Sequence, residues 1–187
     1  MNIHKYGVEG FSVIMPTYNQ CEYIRRAILS LIKQSYDQWE LIIVDDGCTD
    51  GTRESINDYL EMYPNIVYIK NQENKGMGHA INQGLAIAKY NYIAYLPSDD
   101  FFYIDHLKNF KNRFEELEDV ILVYSGMKYD LNDTVARPEK FETLGLRDDY
   151  GLQLVQTAHL KTEDKWVERN EWVTDNLHRM FWYKLMN

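Results

Sequence analysis

Two pairs of adjacent aspartates, Asp45-Asp46 and Asp99-Asp100, are the residues of this chain best suited to do chemistry. Neighbouring carboxylates repel, and proteins set them together most usefully where a divalent cation relieves the repulsion. Asp99 and Asp100 follow Tyr-Asn-Tyr-Ile-Ala-Tyr-Leu-Pro-Ser, an apolar run closed by Pro97, and so are expected at the carboxyl end of a buried strand. Asp45 and Asp46 follow a second apolar run and lead into Gly47. Turn chemistry explains one aspartate of Asp-Asp-Gly but not both. The plain alternative for Asp99-Asp100 is a solvated pair capping a helix near Ile104. A third polar ending, Pro16-Thr17-Tyr18-Asn19, closes the run Phe-Ser-Val-Ile-Met.

These endings can act together only if the fold gathers them. Apolar runs bounded by turn signals predict strands at residues 11–15, 39–44, 66–70, 92–96 and 120–124. Helical spacing predicts helices between them. One follows Asn19, whose side chain with Glu22 reads as a capping box. Others are expected over residues 52–63, 76–89 and 104–117. Alternating strands and helices of this length give an α/β fold with a mostly parallel, Rossmann-like sheet. Right-handed crossovers then carry the strand-end loops to one edge, where ligands of open α/β sheets bind. After Tyr124 the rhythm breaks: residues 128–149 read as a loop, 152–160 as a strand and 175–185 as an amphipathic helix.

At 187 residues, 45% of them hydrophobic and 26% charged, the chain is expected to be one soluble domain. The net charge of −9 disfavours nucleic acid and anionic membranes as partners. No apolar run approaches the roughly 18 residues of a spanning helix, and residues 1–10 lack the apolar core of a secretory signal. Cys21 and Cys48 have no zinc-ligand spacing and read as reduced structural thiols. The expected location is cytoplasmic, with the inner membrane face as the peripheral alternative.

The chemistry these endings suggest is nucleotide recognition. The Tyr18 ring can pack on a base, Asp45 or Asp46 can accept from a base edge or ribose hydroxyl, and a divalent ion at Asp99-Asp100 can hold a diphosphate. Four motifs in register then resemble glycosyltransferase family 2: Pro16-Thr17-Tyr18-Asn19; Asp45-Asp46-Gly47-Cys48-Thr49-Asp50-Gly51-Thr52; Asn74-Lys75-Gly76 leading to Asn82-Gln83-Gly84; and Ser98-Asp99-Asp100. The likeness is strong over residues 11–126. It implies a GT-A fold in which residues 11–126 bind a nucleotide diphosphate sugar and 127–187 form a short acceptor half. The reaction implied is sugar transfer with inversion, from a donor that is a UDP-sugar first of all, to a saccharide or lipid-linked saccharide in surface polysaccharide or glycoconjugate assembly.

The resemblance carries nucleotide-sugar binding to Pro16, Thr17, Tyr18, Asn19, Asp45, Asp46 and Asp99, and ligation of Mg²⁺ or Mn²⁺ to Asp100. Cys48 stands where the family usually has serine, and Ile81 where many members have arginine. Lys75 is the candidate to supply the charge that Ile81 lacks. Inverting transfer needs a carboxylate to take the acceptor proton. Thr174-Asp175 resembles the family's position for it, so Asp175 is the candidate base and Glu171 the reserve. His159 and His178 read as structural. Trp166, Trp172, Trp182 and Tyr183 suit an acceptor platform, core packing or an oligomer interface equally. A nucleotidyltransferase would require a Gly-rich basic loop after the first strand, which is lacking. A nucleotide-sugar-binding module without activity is the other alternative.

Overall fold

The computed structural model describes residues 8–117, 120–128, 135–136, 153–166 and 168. A six-stranded sheet forms its centre, built from β1 (Val8–Thr17), β2 (Trp39–Asp45), β3 (Ile66–Lys70), β4 (Tyr90–Tyr95), β5 (Leu122–Tyr124) and β8 (Thr157–Leu160), in the order β3-β2-β1-β4-β8-β5. The first four are parallel. β8 runs antiparallel between β4 and β5, so the chain doubles back into the sheet after the polar stretch. A small hairpin pairs β6 (Met127–Lys128) with β7 (Val135–Ala136).

β1 and β2 are buried on both faces, as central parallel strands covered by helices must be. Alternation along β1 sends Val13 and Met15 into one core and Ile14 into the other. The first core holds α1 (Ile24–Ile32), through Ile24, Ala27, Ile28 and Leu31, and α5 (His106–Glu116), through Leu107, Phe110 and Phe114. The second holds α4 (Met77–Ile87) with Ile42, Val44, Ile93, Tyr95 and Trp166. Gly84 lets α4 lie against β1, because a Cβ there would stand 2.7 Å from Ile14 Cγ2.

Several local expectations are corrected. Pro16 does not stop β1; it pairs opposite Val44, and the strand runs on to Thr17. Asn19 does not cap α1, which begins at Ile24 with no side-chain cap. It adopts the left-handed conformation, φ 53°, and its carboxamide turns to the next strand's loop instead. The helix expected over 52–63 is split into α2 (Thr52–Ser55) and α3 (Asn57–Met62). The Arg25 guanidinium donates to the Ser55 carbonyl at that break, giving it a partner outside the helix ladder.

Candidate active site

The loops leaving β1 and β2 are laced into one wall. Asp46 N–H donates to the Thr17 carbonyl at 2.9 Å. Thr49 N–H donates to Asn19 Oδ1 at 2.9 Å, and Asn19 N–H to Cys48 Sγ at 3.1 Å. Asp50 joins the same seam, accepting Cys21 N–H at 2.9 Å and both the N–H and hydroxyl of Thr52. Gly47, at φ 84°, passes so close to the backbone of Glu73 that a Cβ would meet it at 2.8 Å. On this wall Tyr18 is 48% exposed, while Thr17 is 3% exposed and its hydroxyl has no hydrogen-bond partner.

Asp45 and Asp46 lie behind that surface rather than on it. Asp45, with no exposed area, accepts Cys48 N–H at 2.6 Å on one oxygen and the Tyr68 hydroxyl on the other. Burial, and then the bond to Asp45, push the Tyr68 phenol upward, so it remains the donor. Asp46, 3% exposed, holds the entry to α4: it accepts Lys75 N–H on both oxygens at 3.0 and 3.1 Å, Gly76 N–H at 2.7 Å and the Asn71 amide at 3.0 Å. Asn71 and Gln83 exchange reciprocal amide bonds of 2.8 and 2.9 Å, which fixes Asn71 in turn. Both oxygens of Asp45 thus hold protein hydrogens out of solvent.

Asp99 and Asp100 differ in every respect. Asp99 is exposed and Asp100 half-buried. Neither carboxylate accepts a hydrogen bond among the described residues; the bonds here are backbone ones, from Asp100 N–H to the Pro97 carbonyl at 3.0 Å and from Arg26 to the Asp99 carbonyl at 2.7 Å. Burial, and next the charge of Asp99, push the Asp100 carboxyl up to about 6, against the pull of Arg26. β2 and β4 flank β1, so both aspartate pairs and the Thr17-Tyr18 loop share the carboxyl edge of three adjacent strands.

Comparisons with known proteins bear on the family and the fold. The family model described as "Glycosyl transferase family 2" matches residues 12–185. The chain belongs to glycosyl transferase family 2. It is 35% identical over 158 residues to an uncharacterized glycosyltransferase of Haemophilus influenzae, covering 84% of this chain and 62% of that one. It spans between 17% and 62% of the lengths of the curated relatives it matches. Among solved structures, Staphylococcus aureus TarS 1–349 in complex with UDP-GlcNAc superposes with a TM-score of 0.77 at 25% identity, over 94% of this chain and 54% of that one. The mannosyltransferase PcManGT of Pyrobaculum calidifontis, in complex with GDP-Man and Mn²⁺, does so with a TM-score of 0.58 at 26% identity, over 67% of this chain and 37% of that one. The fold is that of the GT-A glycosyltransferases.

For a divalent metal of the kind found in such enzymes, the donors present fit. Asp99 and Asp100 offer oxygen only, which suits a hard cation. Asp100 is a half-buried carboxylate that no protein hydrogen neutralises among the described residues. No group of three or more His, Cys, Asp and Glu converges among those residues, and a hard cation held by this pair would need further oxygen ligands, of the kind that phosphate and water supply.

The two family departures fare differently. Ile81 has no exposed area and packs in the second core, so its position lies in the sheet interior. Cys48 keeps the seam that a serine would make: it accepts from Asn19 and its thiol lies 3.7 Å from the Thr17 carbonyl. Burial pushes that thiol up to about 11, so it is inert. The Lys75 side chain is exposed at the α4 entry. His159 is structural: it lies between the Tyr95 hydroxyl, 2.7 Å from Nε2, and the Leu160 carbonyl, 2.6 Å from Nδ1. Trp166 is core, 1% exposed, with its indole N–H donating to Tyr95.

Asp175, Glu171, His178, Trp172, Trp182 and Tyr183 lie outside the described residues. The chain that leads to them is anchored, because Asn82 clasps the backbone of Trp166 with two bonds of 2.8 and 2.9 Å and reaches Glu168 at 3.1 Å. Tyr68 and Asn71 support the aspartates yet carry no sequence signal of their own. Asn82-Gln83-Gly84 did carry one, and each of its letters has a separate task.

Proposed function

We propose that this chain transfers a sugar, with inversion, from a nucleotide diphosphate sugar to an acceptor hydroxyl, with Mg²⁺ or Mn²⁺ as cofactor and a UDP-sugar as first candidate donor. The observation that carries the reading is the edge itself. A carboxylate pair without protein donors among the described residues stands beside a laced loop that presents an exposed tyrosine and a buried, unpartnered threonine hydroxyl. Such a place suits a ligand that brings its own hydrogens, charge and cation. The Haemophilus similarity supports the reaction class, and the TarS similarity the class of donor.

Tyr18 would stack on the base, while Pro16, Thr17 and Asn19 line its side of the crevice. Asp45 and Asp46 would act from behind, keeping the wall and the Lys75-Gly76 turn in place. Asp99 would meet ribose or sugar, and Asp100 would hold the cation. Lys75, exposed at the start of α4, would add positive charge for the diphosphate. An ion held there would supply positive charge to offset what gathers on the departing nucleotide diphosphate. Asp175, with Glu171 in reserve, would take the proton from the acceptor hydroxyl as that oxygen attacks the anomeric carbon and the C–O bond to the diphosphate breaks. A saccharide or lipid-linked saccharide is the acceptor class proposed.

The test is a panel of nucleotide sugars assayed with and without Mn²⁺, reading donor hydrolysis and protection against heat. Metal-dependent turnover of one donor supports the proposal; tight binding without turnover would leave a binding module instead. Asp175→Asn should abolish transfer while sparing donor binding, and surviving transfer would move the base elsewhere.

A further inference from the structure

Helix α1 and the turn just past its end carry a stripe of polar residues, Arg26 and Ser30 on the helix and Gln34 two residues beyond it, spaced four apart. Each meets the loop that leaves β4. Arg26 Nη2 donates to the Asp99 carbonyl at 2.7 Å, Ser30 Oγ accepts Phe102 N–H at 3.0 Å, and Gln34 donates to the Tyr103 carbonyl at 2.8 Å while accepting Leu107 N–H at 3.0 Å. The loop is zipped down the helix, and the rung nearest the sheet's carboxyl edge falls on the aspartate pair. There the Arg26 guanidinium also lies 5.3 Å from the centre of the Phe101 ring, so it grips the residues on both sides of Asp100. A carbonyl bond and a ring contact from one planar cation fix a turn in a way that a flexible ammonium does not.

We propose that Arg26 is a positioning residue of the donor site, holding the Asp99-Asp100-Phe101 turn so that the Asp100 carboxylate faces the ion that accompanies the diphosphate. This rests on the reading that Asp100 ligates a divalent metal. Side chains that orient metal ligands without touching the metal commonly change affinity by 10- to 100-fold when removed. Ser30 and Gln34 act below the turn, so their replacement would loosen the loop without addressing Asp100.

The test titrates Mn²⁺ into the full chain with UDP and, in parallel, GDP present, following unbound Mn²⁺ by its paramagnetic resonance signal and recording the thermal midpoint of each variant. Asp100→Asn comes first: if it binds Mn²⁺ as well as the parent, or the parent binds none, the metal reading fails and the proposal falls with it. Given Asp100-dependent binding, Arg26→Met should weaken Mn²⁺ about tenfold or more at an unchanged affinity for the metal-free nucleotide, and Arg26→Lys should recover part of the loss. Should Arg26→Met not fold, Phe101→Leu removes the ring contact and should weaken Mn²⁺ two- to threefold. Mn²⁺ affinity that stays within twofold of the parent in the folded variants, or that rises because a repelling cation has gone, would overturn the assignment.

Discussion

Two adjacent-aspartate pairs close the strands on either side of β1, and they do opposite work. Asp45 and Asp46 are buried, and their oxygens are filled by protein hydrogens: Cys48 and Tyr68 for one, Asn71, Lys75 and Gly76 for the other. Asp99 and Asp100 accept no such hydrogens among the described residues. A buried carboxylate surrounded by donors organises structure, and one without donors is open to an outside partner. Adjacency of letters does not distinguish the two cases; the supply of hydrogens does.

The sharpest way to break this contrast is to remove one charge from each pair. Asp100→Asn should lower metal-dependent turnover on the order of 10³-fold, with a urea midpoint close to the parent's. A large loss of stability instead would show that Asp100 is structural. Asp46→Ala should act the other way, costing about 2–4 kcal/mol in urea unfolding because several buried N–H donors lose their acceptor at once. Unchanged unfolding would erase the distinction between the pairs.

Acid should act on the fold through two histidines outside both aspartate pairs. Burial holds both His106 and His159 down at about 4, and a weaker opposing pull comes from the Leu160 carbonyl and the charge of Asp164 at His159. Each is neutral in the fold but binds a proton near 6.5 once unfolded. The stability this gives is complete above about pH 6.5 and is lost as pH falls toward 4, by about 3 kcal/mol per histidine. Unfolding measured from pH 7.5 to 4 should follow that slope, and His159→Gln should flatten part of it. A profile that stays level below pH 6 would contradict the buried neutral state.

Smaller effects refine the picture. Tyr68→Phe removes one of the two hydrogens on Asp45 and should cost about 1–2 kcal/mol of stability with donor affinity little changed. Cys48→Ser should move the unfolding midpoint least, by about 0.5 kcal/mol, since a hydroxyl can accept from Asn19 and donate to Thr17 as the thiol does. A marked loss on that change would mean that the seam depends on the size of sulfur.

Much of this architecture was readable from the letters. Apolar runs closed by Pro, Asp and Gly gave β1 through β4 and the edge on which their loops meet, because burial on both faces demands continuous hydrophobicity. Helical spacing gave α1, α4 and α5, and four motifs in register gave the family. The placement of β8 between β4 and β5 was not readable, since antiparallel insertion follows from which edge is vacant and not from any local pattern. Asn19 also misled: a capping box is a local signal, and it yielded to a hydrogen bond with Thr49, thirty residues further on.

By itself, then, the sequence determined which residues could be acidic, aromatic or apolar, and hence the sheet, its carboxyl edge and the class of chemistry placed there. Only the tertiary structure decided that Asp45 and Asp46 hold the wall while Asp99 and Asp100 accept no protein hydrogens among the described residues, that Ile81 and Trp166 belong to the core, and that Arg26 meets the aspartate turn. The reason is physical. Residue type fixes what a group can donate or accept, whereas its role depends on which partners the fold delivers, and those come from segments as far as 84 residues away.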